Sequence, residues 1–349
     1  MHIGLVIYGS LDALSGGYLY DRKLVEYLRE RGDAVEIISL PWRNYAAHLT
    51  DNLTFSLPPN LDILIQDELN HPSLIFPNHG KHGYPIISLV HHLRSSELRP
   101  KWQNTFYRTV EKAYLNSVDG FIFNSRTTER VVNRLVESSK PSVIAYPPTD
   151  RFGTPLSEDE IMKRAKSDEF RILFLGNVIY RKGLHTLLEA VKGLRFKVRV
   201  DVVGSLTTEP VYAKLVQEII TKHGLSSCVF LHGSLDQGPL IEKLKQAHVL
   251  VVPSSYEGFG IVYLEGMGFG LPAVGTAAGA ASEIIDQGQT GYIIAPDDSE
   301  TLTKHLQSLA EDRHLLTRLS LNARMRFLRQ PSWTDTAKNI RAFLYSYLH

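Results

Sequence analysis

The sequence predicts an α/β protein made of two doubly wound, parallel-sheet domains, and three observations predict it. Short apolar strand patterns alternate with helical patterns in two successive series. Several strands, such as residues 86–90 and 249–252, are apolar without polar alternation, as strands covered on both faces read. The length of 349 residues exceeds one ordinary core and suits two domains. A hydrophobic content of 43% with 21% charged residues belongs to a soluble globular chain, and a net charge of +1 gives no reason to invoke nucleic acid. The single cysteine, Cys228, excludes an internal disulfide and points to a reducing compartment. No apolar run is long enough to cross a bilayer. Residues 3–8 lack a basic leader and enter a glycine turn, so they read as a strand, not a signal peptide. A cytoplasmic protein is expected.

In chain order, residues 3–8 form the first strand. Gly9 and then Ser15-Gly16-Gly17 make a loop into a helix over residues 18–31, with Leu24, Tyr27 and Leu28 on its apolar face and Gly32 ending it. Strands follow at residues 35–40, 61–65 and 86–90. After the second of these come Asp67, Glu68 and His71, placed where α/β sheets bind ligands. They suit either contact with a ligand or a helix cap with solvated charges. His91-His92 end the third strand; successive strand residues point to opposite faces, so the two do not chelate easily. Residues 100–116 read as a helix in which Lys101, Arg108 and Lys112 interleave with Trp102, Phe106, Tyr107 and Tyr114. That pattern fits an anionic membrane surface or an ordinary solvated face. Residues 121–123 and 142–145 are strands around a helix at 127–136. The charged segment 157–169 reads as a bridge between domains.

The second series has strands at residues 171–175, 198–203, 229–231, 249–252, 272–275 and 292–294, with helices including 210–223, 302–309 and 315–327, and a last helix from Trp333 to Tyr347. Its central stretch is VLVVPSSYEGFGIVYLEGMGFGLP, residues 249–272. A buried strand breaks at Pro253, a carboxylate follows in Glu257-Gly258-Phe259-Gly260, and a helix runs over residues 261–268 with Glu265 inside it. Free N–H groups at a helix start face anions, glycines let a backbone approach closely, and carboxylates accept hydrogen bonds from sugar hydroxyls. The pattern therefore suits a ligand carrying both hydroxyls and phosphate.

The whole string resembles the E-x7-E signature of retaining glycosyltransferases, in particular glycosyltransferase family 4. The match continues through Thr276, Gly279, Glu283 and Ile284 to Gly288-Gln289-Thr290-Gly291-Tyr292. The resemblance implies the GT-B arrangement, two Rossmann-like domains facing across a cleft. Residues 1–150 would form the acceptor side, 151–330 the nucleotide-sugar domain, and 331–349 a helix crossing back to the first. It implies transfer of a hexose from a UDP- or GDP-sugar to a hydroxyl of a glycan, lipid or small molecule, with retention, as in cell-envelope glycan or glycolipid synthesis. The catalytic residues it implies are His91 (His92 as the alternate), Lys182 and Glu257. Donor binding falls to Gly16, Gly17, Asn177, Arg181, Lys182, Gly258, Phe259, Gly260, Ile261 and Glu265, with Glu265 on the ribose. Family members carry an arginine where this chain has Asn177, and Arg181 is the residue placed to supply the missing charge. His232-Gly233-Ser234-Leu235 would lie under the nucleotide base.

No H-E-x-x-H, clustered cysteines or D-x-D triplet is present, so neither a metal nor another cofactor is expected. Peripheral membrane contact and a location at the inner membrane face stay open through residues 100–116. Rival readings are a phosphorylase or sugar-nucleotide epimerase of the same fold, and a non-catalytic nucleotide-sugar-binding subunit.

Overall fold

The computed structural model describes every residue except 13–15, 138, 149 and 349. Ser15 of the first glycine loop thus lies outside the described residues. The chain divides into two compact units, Met1–Pro148 with Pro331–His349, and Thr149–Gln330.

The first unit carries β1 (His2–Tyr8), α1 (Gly16–Glu30), β2 (Ala34–Leu40), α2 (Tyr45–Asp51), β3 (Ile63–Asp67), α3 (His71–Asn78), β4 (Ile86–Val90), α4 (Lys101–Asn116), β5 (Gly120–Phe123), α5 (Arg126–Asn133) and β6 (Ser142–Ile144). Its six strands are parallel in the order β2-β1-β3-β4-β5-β6. The unalternated apolar strands have a direct cause: each sends side chains into two cores. Ile3, Leu5 and Ile7 of β1 enter one with Leu24 of α1, while Val6 and Tyr8 enter the other with Leu74 and Tyr114. Full burial of each such aliphatic side chain contributes about 1.5–3 kcal/mol.

The second unit holds α6 (Glu158–Ala165), β7 (Phe170–Leu175), α7 (Leu184–Lys192), β8 (Val198–Val203), α8 (Pro210–Lys222), β9 (Val229–Leu231), α9 (Gln237–Gln246), β10 (Val249–Val251), α10 (Ile261–Gly268), β11 (Ala273–Thr276), β12 (Gly291–Ile294), α11 (Ser299–Glu311) and α12 (Arg313–Leu328). These strands too are parallel, in the order β12-β11-β10-β7-β8-β9. The final helix α13 (Trp333–Tyr345) belongs to the first unit. There Trp333 meets the Tyr20 ring at 5.4 Å, and Arg341 Nε donates to Asp33 Oδ2 at 2.6 Å.

Several expectations need correcting. Residues 157–169 are no bridge: Ser157 and Glu160 close a capping box that starts α6, and Ile161 is fully buried. Gly16 and Gly17 are not in the loop but begin α1. The short helices α2, α3 and α9 carry too few apolar repeats to show a helical period in the sequence.

Order reversal matters for function. In a doubly wound sheet, ligands bind beyond the strand C-termini where the winding changes direction. That point lies between β1 and β3 in the first unit and between β7 and β10 in the second. The loops after β7 and β10 touch backbone to backbone: a Cβ on Gly183 would stand 2.1 Å from the Pro253 carbonyl oxygen, and Gly183 has φ +69°. Gly183→Ala should therefore cost about 2–4 kcal/mol through clash and left-handed strain, read as a lower urea midpoint of the second unit. An unchanged midpoint would show that the two loops are not held together in this way.

Candidate functional site

In the second unit, β7 ends at Leu175 and its loop runs through Asn177 to a 3-10 turn at Tyr180–Lys182. The β10 loop brings Glu257 beside that turn. Lys182 Nζ donates to Glu257 Oε2 at 2.6 Å, Ser254 Oγ donates to the same oxygen at 3.1 Å, and Arg181 Nη1 lies 3.9 Å from it. Arg181 Nη1 also donates to the Tyr256 carbonyl at 2.6 Å. The Glu257 backbone is held from its other side, its N–H donating to Ala278 O at 3.1 Å and its carbonyl accepting from Ala280 N at 2.9 Å. Only glycine fits at 279, because a Cβ there would sit 2.0 Å from the Glu257 carbonyl oxygen.

Burial pushes the Lys182 ammonium below its usual value, and Glu257 offsets that only in part. Burial works against ionisation of Glu257 as well, but Lys182 and Arg181 outweigh it and hold the carboxyl below its usual range. Two cations thus face one anion, an excess of positive charge in a largely desolvated place. Next to it Gly260, with φ +94°, stands at the N-cap of α10, and no side chain caps the helix start. Anions are favoured at such an end.

Glu265 points elsewhere. It is 2% exposed and its Oε1 accepts from Arg151 Nη1 at 3.0 Å; burial raises its pKa, with Arg151 opposing. Asn177 is exposed, and its Oδ1 accepts from the Ser205 N–H at 3.2 Å. The structure thus brings Arg181 and Lys182 together on Glu257 and sets Asn177 to holding the β8 loop. Gly258 and Phe259 lie between Glu257 and the start of α10, and Ile261 opens that helix. His232 pairs with Asp201 at 2.6 Å. A cavity of about 480 Å³ near Glu169, Lys192, Arg199 and Cys228 opens at the N-terminal ends of the strands, the wrong end for an α/β ligand site.

In the first unit, His91 and His92 diverge. His91 Nε2 lies 3.2 Å from Asp21 Oδ1, whereas His92 Nε2 is 3.1 Å from Glu97 Oε1. Gly17 abuts the His91 ring, a Cβ there standing 3.3 Å from Cδ2; Gly16, the first residue of α1, is exposed. Asp67, Glu68 and His71 are buried, not solvated. Asp67 caps the turn after β3 through Leu69 N. Burial lifts the Glu68 carboxyl to about 7, and burial with the charge of Asp21 lifts Asp67 to about 7. Asp21 is the residue that sequence reasoning missed, because a charged position inside a helical pattern carries no local sign of burial.

Two acid–histidine groups, Asp21–Asp67–His91 and Glu68–His71–Glu111, have ligand atoms within 4.8 Å of one another, a distance compatible with a cation. In both, the histidine is already hydrogen-bonded: His91 to Asp21, and His71 to Tyr45 Oη at 2.9 Å and the Glu68 carbonyl at 3.0 Å. Among the described residues no helix is long and apolar enough to cross a membrane.

Residues 157–326 match the family described as glycosyl transferases group 1. Over 270 residues the chain is 28% identical to the MMP α-(1→4)-mannosyltransferase of Mycolicibacterium hassiacum, covering 74% of this chain and 64% of that one. It is likewise 28% identical over 263 residues to the D-rhamnosyltransferase WbpZ of Pseudomonas aeruginosa, covering 70% and 66%. The chain thus spans less than two thirds of the length of these curated relatives. Among solved structures, sucrose-phosphate synthase from Thermosynechococcus elongatus matches with a TM-score of 0.83 at 20% identity, over 99% of this chain and 98% of that one. HepE from Anabaena, solved with UDP-glucose, matches with a TM-score of 0.76 at 18% identity, over 99% and 100%. At these identities the likeness is one of fold, that of GT-B glycosyltransferases.

The Lys182–Glu257 pair can be tested apart from any activity. Lys182→Met should destabilise the second unit by about 3 kcal/mol, since it strands a buried carboxylate. Adding Glu257→Gln should recover about 1–3 kcal/mol relative to the sum of the single changes. Strict additivity in denaturant unfolding would show that the two groups are not coupled.

Proposed function

We propose that this chain, whose residues 157–326 carry a group 1 glycosyltransferase domain, transfers a hexose from a nucleoside diphosphate sugar to an acceptor hydroxyl with retention and without a metal. The observation that carries the reading is the meeting of Arg181 and Lys182 on Glu257, at the switch point of the second sheet and beside the uncapped start of α10. A departing diphosphate develops negative charge. Lys182, Arg181 and the first N–H groups of α10 are the donors that would stabilise it, in a place where water screens little.

When the donor enters, its phosphates compete with Glu257 for Lys182. Released from the ammonium, the Glu257 carboxylate accepts from a hydroxyl of the sugar. Glu265 is assigned the ribose hydroxyls, with Arg151 holding its Oε1. The acceptor oxygen attacks the anomeric carbon from the face the diphosphate leaves. The carbon–phosphate-oxygen bond breaks as the carbon–acceptor-oxygen bond forms, and the leaving phosphate takes the acceptor proton. In the first unit, His91 contributes a hydrogen bond to the transferred sugar or the acceptor. The mannosyl and rhamnosyl transfer named in the relatives supports a hexose and a glycan-type acceptor for this chain.

Purified protein offered UDP- and GDP-sugars should show a thermal shift with one of them and then turn over with an acceptor, in the presence of chelator. Glu257→Gln and Lys182→Ala should each lower kcat/KM by about 10²–10³-fold, or about 2.7–4 kcal/mol. Arg181→Gln should impair transfer more than Asn177→Ala. Folded variants within threefold of the wild type would remove the site, and turnover that requires added inorganic phosphate would make the protein a phosphorylase.

A contact with a membrane-held acceptor is favoured by α4. Trp102 is 72% exposed and Phe106 46% exposed, beside the exposed Lys101 and Arg108, while Lys112 is taken up by Glu137 at 3.1 Å. Vesicles containing anionic lipid should bind the protein, and salt should weaken that binding. Trp102→Ser with Arg108→Gln should reduce it at least fivefold; binding indifferent to salt and to both changes would make α4 a plain solvated face.

A further inference from the structure

Asp21 sits in the second turn of α1, wholly buried. Its Oδ1 is 3.2 Å from His91 Nε2, and its Oδ2 has no hydrogen-bond partner among the described residues. The His91 ring is boxed. Asn124 Nδ2 donates to the His91 carbonyl at 2.7 Å and fixes the backbone. The Tyr20 ring meets it edge-on at 5.4 Å, and Gly17, at the start of α1, leaves just enough room on another side. The side chain keeps 17% exposure, and its Nδ1 makes no hydrogen bond among the described residues.

A carboxylate only accepts, so Nε2 carries a proton toward Asp21. The charges around the ring decide whether Nδ1 carries one as well. Asp21 and Tyr20 face it from α1, Asp67 from the end of β3, and Glu68 from the turn that follows. Buried acids of this kind favour a cation among them.

We propose that Asp21 is a positioning residue that holds His91 as an imidazolium, with Nδ1–H donating to a hydroxyl oxygen of the substrate held at this end of the first sheet. The inference rests on the reading of His91 as part of the transfer site. Burial alone would lower the pKa of this ring. The hydrogen bond from Asp21 and the charges of Asp21, Asp67 and Glu68 prevail and push it up to about 9. Its sign is that of a raised histidine: the charged state and its stabilisation are complete below the ordinary imidazole range and are lost as pH rises through about 9. The two nitrogens have separate tasks, one anchoring and one donating.

The test follows the ring and the reaction together. NMR of isotope-labelled histidine should show His91 doubly protonated at pH 7.5 and titrating near 9 in the wild type, with kcat falling over the same range. Asp21→Asn should move both transitions down by at least one pH unit, toward the ordinary value of about 6.5. It should lower kcat about tenfold or more at pH 8, with recovery on acidification. A neutral His91 in the wild type at pH 7.5 overturns the proposal, and that measurement stands even if the variant fails to fold. An Asp21→Asn variant with an unchanged ring titration overturns it too. Full activity in His91→Asn would instead remove His91 from the transfer site, while the wild-type titration would still report the hold of Asp21 on the ring.

Discussion

The second unit is organised around one ion pair, Lys182 with Glu257, whose members lie 75 residues apart in sequence. Each sits in the loop after a strand, and the strands β7 and β10 are neighbours only because the sheet reverses its winding between them. The pair has a cost in desolvation that a single hydrogen bond would not offset. What sustains it is the company: Ser254 on the same oxygen, Arg181 at 3.9 Å, and backbone bonds that clamp Glu257 from the side of Gly279. Such a pair ties the loop after β7 to the loop after β10.

The first unit answers the same problem differently. Its sheet end gathers Asp21, Asp67, Glu68 and Glu111 out of water with His71 and His91, and its carboxyls outnumber its imidazoles. The raised pKa values of Asp67, Glu68 and Glu111, each to about 7, follow from burial and from mutual repulsion. His91 is the member of this group that keeps contact with solvent while anchored from within.

Secondary structure around these groups serves placement more than stability. The start of α10 is left without a side-chain cap where Ser157 and Ser332 cap α6 and α13 with full capping boxes. An uncapped start leaves backbone donors to be satisfied by something else. At the start of α1, Gly17 spares the volume that any other residue would take from the His91 ring.

The sequence by itself determined the α/β class, nearly every strand, and the carboxylate-glycine-helix string at residues 249–272, because apolar runs and glycine breaks are local signals. Lys182 and Glu257 were legible for the same reason, each lying in a contiguous motif. Tertiary structure alone decided that Arg181 turns toward Glu257 and that Asn177 serves the β8 loop, since the direction of a loop side chain depends on what packs against the loop. It alone decided that His91, not His92, faces α1, and that Asp21 is buried: a period along a helix tells which residues share a face but not what that face meets. The capping box at Ser157 and Glu160 was written in the sequence and was outweighed by the density of charge around it. Burial converts charge from a mark of solvent into a working group, and burial is a property of the assembled sheet.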